Sequence, residues 1–334
     1  MYISRKKPEK SVLYDSYWHF AARRQEVFLK RLENPQGPWT NDPIINAYRF
    51  TNTFRALDRV SQYLIGVQAE QETPRDIFFH TILFKLFNKI DTYRYLERAL
   101  GPLSAESFEV ARYDELLTYR VSMGRTIYSG AYIMPSAGRA YGHKFKHSNH
   151  LALLAQMLDD RLDERVQACH SLEEVYALLL TYPSLGKFLA FQYAIDLNYS
   201  TLTDFSEMDF VVAGPGAING IKKCFSSLGD YSYEDVIRLM AEEQETECVR
   251  LDLPSPSLYG RPLQLIDCQN LFCETDKYLR ATNPEVVSAG GQKRIKQRFN
   301  ASTEPLTYLF PPKWNINQAA NSICQQQAIA DIFS

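Results

Sequence analysis

The residues best equipped for chemistry lie in LQLIDCQNLFCETDKYLR, Leu263 to Arg280, where Asp267, Asn270, Glu274 and Lys277 stand at i, i+3, i+7 and i+10. On a helix all four share one face. Leu265, Leu271, Phe272 and Tyr278 supply much of the apolar remainder. Two carboxylates with an amide and an ammonium on one stripe suit proton transfer. The same pattern also describes an exposed helix laced by its own ion pairs.

Two glycine-marked turns offer a second kind of chemistry, the grip on phosphate. In AGPGAINGIKKCF, Ala213 to Phe225, Gly214 and Gly216 bracket a proline just before a helical run that includes Lys222. Such a turn resembles a helix-hairpin-helix element, whose backbone N–H groups face a nucleic-acid phosphate without reading sequence. About thirty residues earlier YPSLGKF repeats the sense of it, with Gly186 and Lys187 ahead of an apolar helix. Local basic clusters are Lys293, Arg294, Lys296 and Arg298 in GGQKRIKQRFN, and Arg5, Lys6 and Lys7. His143, His147 and His150 have helical spacing but no neighbouring cysteine or carboxylate to complete a coordination sphere, so no metal is expected and phosphate contact or plain surface is preferred. No P-loop, no GxGxxG after a strand and no GxSxG elbow occurs.

The elements that position these residues are helical. Asp42-Pro43 reads as an N-cap and first-turn proline, and the spacing predicts one amphipathic helix from Ile44 to Ile65. Phe50, Phe54, Leu57, Val60, Ser61 and Leu64 take its core side, with Arg49, Asn52, Arg55 and Arg59 opposite. Further helices are predicted over Arg75–Phe87, Tyr93–Leu100, Phe108–Arg120, Asn149–Ala168, Ser171–Leu180, Gly186–Leu197 and Tyr233–Glu247, and strand-like alternation is sparse. The tail from Ala301, with Pro305, Pro311 and Pro312, predicts irregular chain ending in a short helical segment near Ala319–Ile332. With no repeat, low-complexity tract or long linker, a single continuous body is expected.

Composition narrows the classes further. A chain of 334 residues with 45% hydrophobic content folds without staples, and its six scattered cysteines contain no CxxC pair, which favours a reducing compartment. No apolar run approaches a membrane span and no h-region follows the basic N-terminus, so no membrane partner and a cytoplasmic location are expected. The formal net charge of −2 means that any DNA binding must be local.

Three stretches together resemble a known family. NDPIINAYRFTNTFRALDRVSQYLI, then GKFLAFQYAIDLNYS with FVVAGPGAINGIKKCF, then LIDCQNLFCETDKYLR look like successive signatures of the phage amino acid:DNA transferases, also known as α-glutamyl/putrescinyl-thymine pyrophosphorylases. The same helical module resembles the one in phage 5-hydroxymethyl-deoxyuridine DNA kinases. The RFTN-x-x-R-x-x-D-R run is the most specific part.

The resemblance implies an all-α relative of the helix-hairpin-helix DNA glycosylases. Its expected layout is an N-terminal extension over 1–34, a helical body over 35–300 with the hairpin near 205–230, and a tail over 301–334. The implied partners are double-stranded DNA carrying phosphorylated 5-hydroxymethyluracil and a free amino acid, with a functional link to a DNA-base kinase acting first. The implied reaction displaces phosphate from 5-phosphomethyl-deoxyuridine and joins the amino acid through its amine, in a phage-infected host cytoplasm. It demands no cofactor, because the bond energy is already stored in the phosphorylated base.

On that reading Arg49, Arg55 and Arg59 hold the leaving phosphate and the amino-acid carboxylate, and Asp267 is the general base. Glu274 and Lys277 stand behind it, Asn52 and Asn270 read the edge of a flipped base, and Asp58 orients an arginine. Gly186, Lys187, Gly214, Gly216, Lys222, Lys293 and Arg294 are the expected DNA contacts. Departures from the glycosylases are the gap of about fifty residues from Gly216 to Asp267, and Ala217 and Ile218 where a Schiff-base lysine would stand. A four-cysteine cluster is missing, and Asn219 occupies a position where the family usually carries arginine. The alternatives are a glycosylase acting on a modified thymine and a non-catalytic DNA-binding module.

Overall fold

The structure, a computed structural model, describes residues 5–285, 295, 297–300 and 308–321. In chain order come β1 (Glu9–Lys10), α1 (Asp15–Glu33), α2 (Pro43–Ala47), α3 (Arg59–Ala69), α4 (Pro74–Phe87), α5 (Ile90–Leu100), α6 (Val110–Ser122), α7 (Gly138–Tyr141) and α8 (Lys146–Asp159). They are followed by α9 (Leu162–Gln167), α10 (Leu172–Leu180), α11 (Lys187–Asn198), α12 (Pro215–Cys224), β2 (Phe225–Ser227), α13 (Tyr233–Glu242), α14 (Gln244–Arg250) and α15 (Leu265–Thr282). Among the described residues β1 and β2 form the sole, antiparallel, sheet, so the expected all-α class is met.

The chain divides into two compact units. The first is built from Met1–Asp58, Phe210–Tyr308 and Ile316–Ser334, and the second from Arg59–Asp209 with Leu309–Asn315. The first unit is organised on α15, buried along most of its length from Leu265 to Leu279. Helix α1 packs on it through Tyr17, whose ring meets Phe272 at 4.6 Å, and through Phe20, which meets Tyr278 at 5.3 Å. Residues 15–33 of the expected extension thus build this core. Burying an aromatic of this size is worth about 2–3 kcal/mol.

Helix α12 lies against α15 at its own glycines. A Cβ on Gly220 would fall 2.1 Å from the carbonyl oxygen of Phe272, and one on Gly216 2.4 Å from Cys273 Sγ. The glycines four apart therefore let two backbones touch, which is the duty the structure gives Gly216. Gly214 is the N-cap of α12 and Pro215 its first residue, while Gly186 is the N-cap of α11 and Lys187 its first residue. Lys187 and Lys222 are exposed.

The predicted helix from Ile44 to Ile65 does not form. Asp42 caps α2 as expected, accepting from the amides of Ile44 and Ile45, but α2 ends at Ala47. From Tyr48 to Phe54 there is no helix, a 3-10 turn spans Arg55–Leu57, and α3 starts at Arg59. Amides that a helix would pair internally find other acceptors: Arg49 N donates to Gln297 O, Thr51 N to Glu274, Asn52 N to Asp58 and Arg55 N to Asp267. Three carboxylates thus replace three helical carbonyls.

In the second unit α4 is buried throughout from Ile77 to Phe87 and has a Thr73 N-cap with Pro74 behind it. A buried ion pair, Lys85 to Asp196 at 2.9 Å, joins α4 to α11. The expected helix Asn149–Ala168 is broken at Arg161, which takes the left-handed conformation between α8 and α9. Likewise the expected Tyr233–Glu247 divides into α13 and α14 at Glu243. His147 and His150 are buried, contrary to a surface reading. His147 Nε2 meets Thr118 Oγ1 at 2.8 Å, while Tyr128 Oη and the Pro135 carbonyl engage the two nitrogens of His150. Burial pushes the His150 imidazole down to about 4, so it packs as a neutral ring.

Lys293, Arg294 and most of Ala319–Ile332 lie outside the described residues.

Candidate active site

The site is assembled in the first unit where the Tyr48–Asp58 segment crosses α15 and α1. Its scaffold is Asp267. This carboxylate sits at the third position of α15 and closes a capping box, Oδ2 accepting from the Gln264 amide at 3.0 Å while Oδ1 accepts from the Arg55 amide at 2.8 Å. Both oxygens are committed to backbone donors, and the residue is buried. Asp267, the general base expected from the sequence, is placed to anchor the Tyr48–Asp58 segment on α15. Asp267→Asn can satisfy only one of the two amides, leaving a buried donor at a cost of about 1–3 kcal/mol. A thermal melt should show that loss, and a pH–rate profile with an unchanged acid limb should accompany it. Loss of the acid limb would return Asp267 to the role of base.

One turn and two turns further on, Asn270 and Glu274 present the same face of α15. Glu274 Oε2 accepts from the Thr51 amide at 3.0 Å and from Lys277 Nζ at 2.7 Å. The ammonium of Lys277 also lies over the ring of Phe50, 4.7 Å from its centroid. Asn270 accepts from Gln269 Nε2 at 2.9 Å. Its own Nδ2 is buried with no hydrogen-bond partner, and so is Thr51 Oγ1. Each orphan costs about 1–3 kcal/mol unless a ligand engages it.

Asp58 is a half-buried carboxylate beside this face. Its Oδ1 accepts from Asn52 N at 2.8 Å and Asn52 Nδ2 at 3.2 Å, while Oδ2 has no partner among the described residues. Burial raises its pKa to about 6 against the pull of Asn52 and Arg24, and the neighbouring charge of Glu274 adds to the rise. Asn52 is the hub, because Nδ2 also donates to the Leu57 carbonyl at 2.9 Å and Oδ1 accepts from Arg24 at 2.7 Å. With donors and acceptor all engaged, Asn52 orients Asp58 and Arg24 and is not placed to read a base.

Arg24 comes from α1 and is not among the residues that the sequence singles out. Only one of its nitrogens is used, on Asn52, so the rest of the planar fork is open. Burial lowers its pKa against the attraction of Asp58 and Glu274, which leaves a cation in a poorly solvated place. The expected row of arginines is dispersed: Arg49 is exposed, Arg55 is buried to 2% exposure, and Arg59 is exposed at the start of α3. That row depends on a helix that does not form.

A family model described as "5-hmdU DNA kinase, helical domain" matches residues 11–288. The chain belongs to this family. All three stretches that carry the expected helical module lie inside the match. Within the 5-hmdU DNA kinase helical-domain family, the chain is similar to the 5-hmdU DNA kinase of Bacillus phage SP10, with 29% identity over 334 residues. That alignment covers 92% of this chain and 51% of the phage protein, so the chain spans about half the length of the curated relative it matches. No solved structure matches. The helical domain therefore carries the Arg24, Asn52, Asp58, Asn270 and Glu274 constellation. Among its described residues no group of three or more His, Cys, Asp or Glu side chains is arranged to hold a metal ion.

Proposed function

We propose that this helical domain transfers an amino acid onto 5-phosphomethyl-deoxyuridine in DNA, displacing phosphate. The observation that carries the reading is the placement, on either side of Asn52, of Asp58, a carboxyl tuned to about 6 with one free oxygen, and the half-used guanidinium of Arg24. A base of that strength is mostly ionised at neutral pH yet accepts a proton readily. An arginine fork suits the leaving phosphate or the carboxylate of the incoming amino acid. The phage relative, named as a 5-hmdU DNA kinase, supports a substrate drawn from modified thymine. This chain has no P-loop with which to phosphorylate that base itself.

In the proposed reaction the C–O bond between the base methylene and phosphate breaks, and a C–N bond to the amine forms. Asp58 accepts the proton that the amine gives up and passes it to the departing phosphate. Arg24 neutralises the phosphate or the carboxylate, and Lys277 stands in reserve beside Glu274. The orphaned Nδ2 of Asn270 donates to a carbonyl of the pyrimidine once that base has left the stack. A glycosylase-like fold with Gly186 and Gly214 turns on DNA phosphate fits the same substrate. Double-stranded DNA is then the macromolecular partner, and a base kinase supplies the phosphate ester.

The test is mass spectrometry of nucleosides from 5-phosphomethyl-deoxyuridine DNA incubated with the protein and all common amino acids. The expected product is a nucleoside in which one amino acid has replaced phosphate, with inorganic phosphate released in equal amount. Abasic DNA would establish a glycosylase instead, and unchanged nucleosides a non-catalytic module.

A further inference from the structure

The second unit carries a basic surface that the site does not use. Between Glu115 and Asp159 the chain has no acidic side chain, yet it holds Arg120, Arg125, Arg139, Lys144 and Lys146. That composition stands out in a chain whose net charge is −2. In the same unit Arg75 pairs with Asp163, Arg120 with Asp91 and Arg161 with Glu164. Arg125, Arg139, Lys144 and Lys146 meet none among the described residues, and Arg125, Arg139 and Lys144 are exposed.

The segment bearing them is held in place on the helices beneath. His150 ties down both Tyr128 and the Pro135 carbonyl, and the Asn149 side chain bridges the backbone of His143 and Phe145. Lys146 lies over the ring of Tyr128 at 4.3 Å, and Lys89 donates to Thr126 Oγ1 at 2.6 Å beside Arg125. Exposed apolar groups sit along the same segment, with Phe145 at 41% and Ile133 at 67% exposure. Of the carboxylates packed nearby, Asp91 pairs with Arg120, Asp114 accepts from Ser148 Oγ and Asp160 accepts from Tyr182 Oη. Unmatched cations on a fixed backbone, interleaved with aromatic side chains, are complementary to a regular array of phosphates.

We infer that residues 125–146 form a contact surface for the phosphate backbone of duplex DNA. The inference rests on the proposed function only in taking DNA as the partner, and its test needs no transfer reaction. Binding of an unmodified fluorescent 24-mer duplex is titrated at several salt concentrations, using the protein, the variant R125Q/R139Q/K144Q and a control K30Q/R161Q whose cations lie in ion pairs with Glu26 and Glu164. Removing one cation from a phosphate lowers the salt slope by about 0.9, so the patch variant should show a slope smaller by between about two and three and an affinity about tenfold or more weaker at low salt. The control should keep both, and all three proteins should melt alike because the changed residues are on the surface. Equal weakening in both variants would overturn the inference, as would an unchanged slope in the patch variant or no duplex binding by the parent protein. So would weakening confined to phosphatidylglycerol vesicles, which would assign the surface to a membrane.

Discussion

Asp58→Asn is expected to lower kcat/KM for amino-acid transfer by about 10²–10⁴, the usual worth of a positioned general base. It should also abolish the acid limb of the pH–rate profile near pH 6. The same variant should be more stable than the parent at neutral pH. Folding raises this carboxyl from its ordinary value of 3.8 to about 6. The folded state therefore holds the proton more tightly than the unfolded chain, and stability from this group falls as pH climbs through that window. Asparagine keeps an oxygen to accept from the Asn52 amide and has no charge to desolvate. A gain of about 1–3 kcal/mol at pH 7.5, vanishing below about pH 4, follows from the shift. Melting curves at the two pH values and steady-state rates measure both effects. Retention of wild-type rate with the acid limb intact would remove Asp58 from the chemistry.

Gly220→Ala should be the most damaging small substitution in the first unit. Alanine is the better helix former by about 1 kcal/mol. Its methyl, however, would lie 2.1 Å from the Phe272 carbonyl oxygen and 2.7 Å from the carbonyl carbon, both backbone atoms in the middle of α15. Neither can rotate away, so α12 and α15 must separate along their contact, at a cost of about 3–5 kcal/mol. Because α15 also carries Asn270 and Glu274, transfer activity should fall with stability. Gly216→Ala should be milder, since the closest atom there is the side-chain Sγ of Cys273. Calorimetry of the pair decides: a Gly220→Ala protein melting within a few degrees of the parent would mean that the two helices do not touch so closely.

The legible parts of the site are those on a regular helix. Asp267, Asn270, Glu274 and Lys277 share a face as their spacing requires, and the cap at Asp42 falls where its residue type places it. The Tyr48–Asp58 segment departs from its predicted helix because periodicity is blind to acceptors more than two hundred residues away. Glu274 and Asp267 take amides of Thr51 and Arg55 over separations of 223 and 212 residues, and that pairing outweighs local helical preference. The same blindness hides the anchoring by Asp267, since nothing near it in sequence reveals that it holds the Arg55 amide. Arg24 escapes notice along with α1 itself. The signal is present, as Tyr17, Ala21, Phe28 and Leu32 recur at helical intervals and are buried. The family match extends over that helix too.

The separation of 212 residues between Arg55 and Asp267 also sets a schedule for biosynthesis. Helix α1 leaves the ribosome well before α15, the helix that covers Tyr17 and Phe20. At an elongation rate of about 5–20 residues per second, the apolar face of α1 waits roughly 10–45 s for its partner. The intervening Arg59–Asp209 is a nearly self-contained stretch of helices with mostly neighbouring contacts, the kind of topology that closes quickly. A chain stalled before α15 thus lacks the helix that carries Asp267, Asn270 and Glu274.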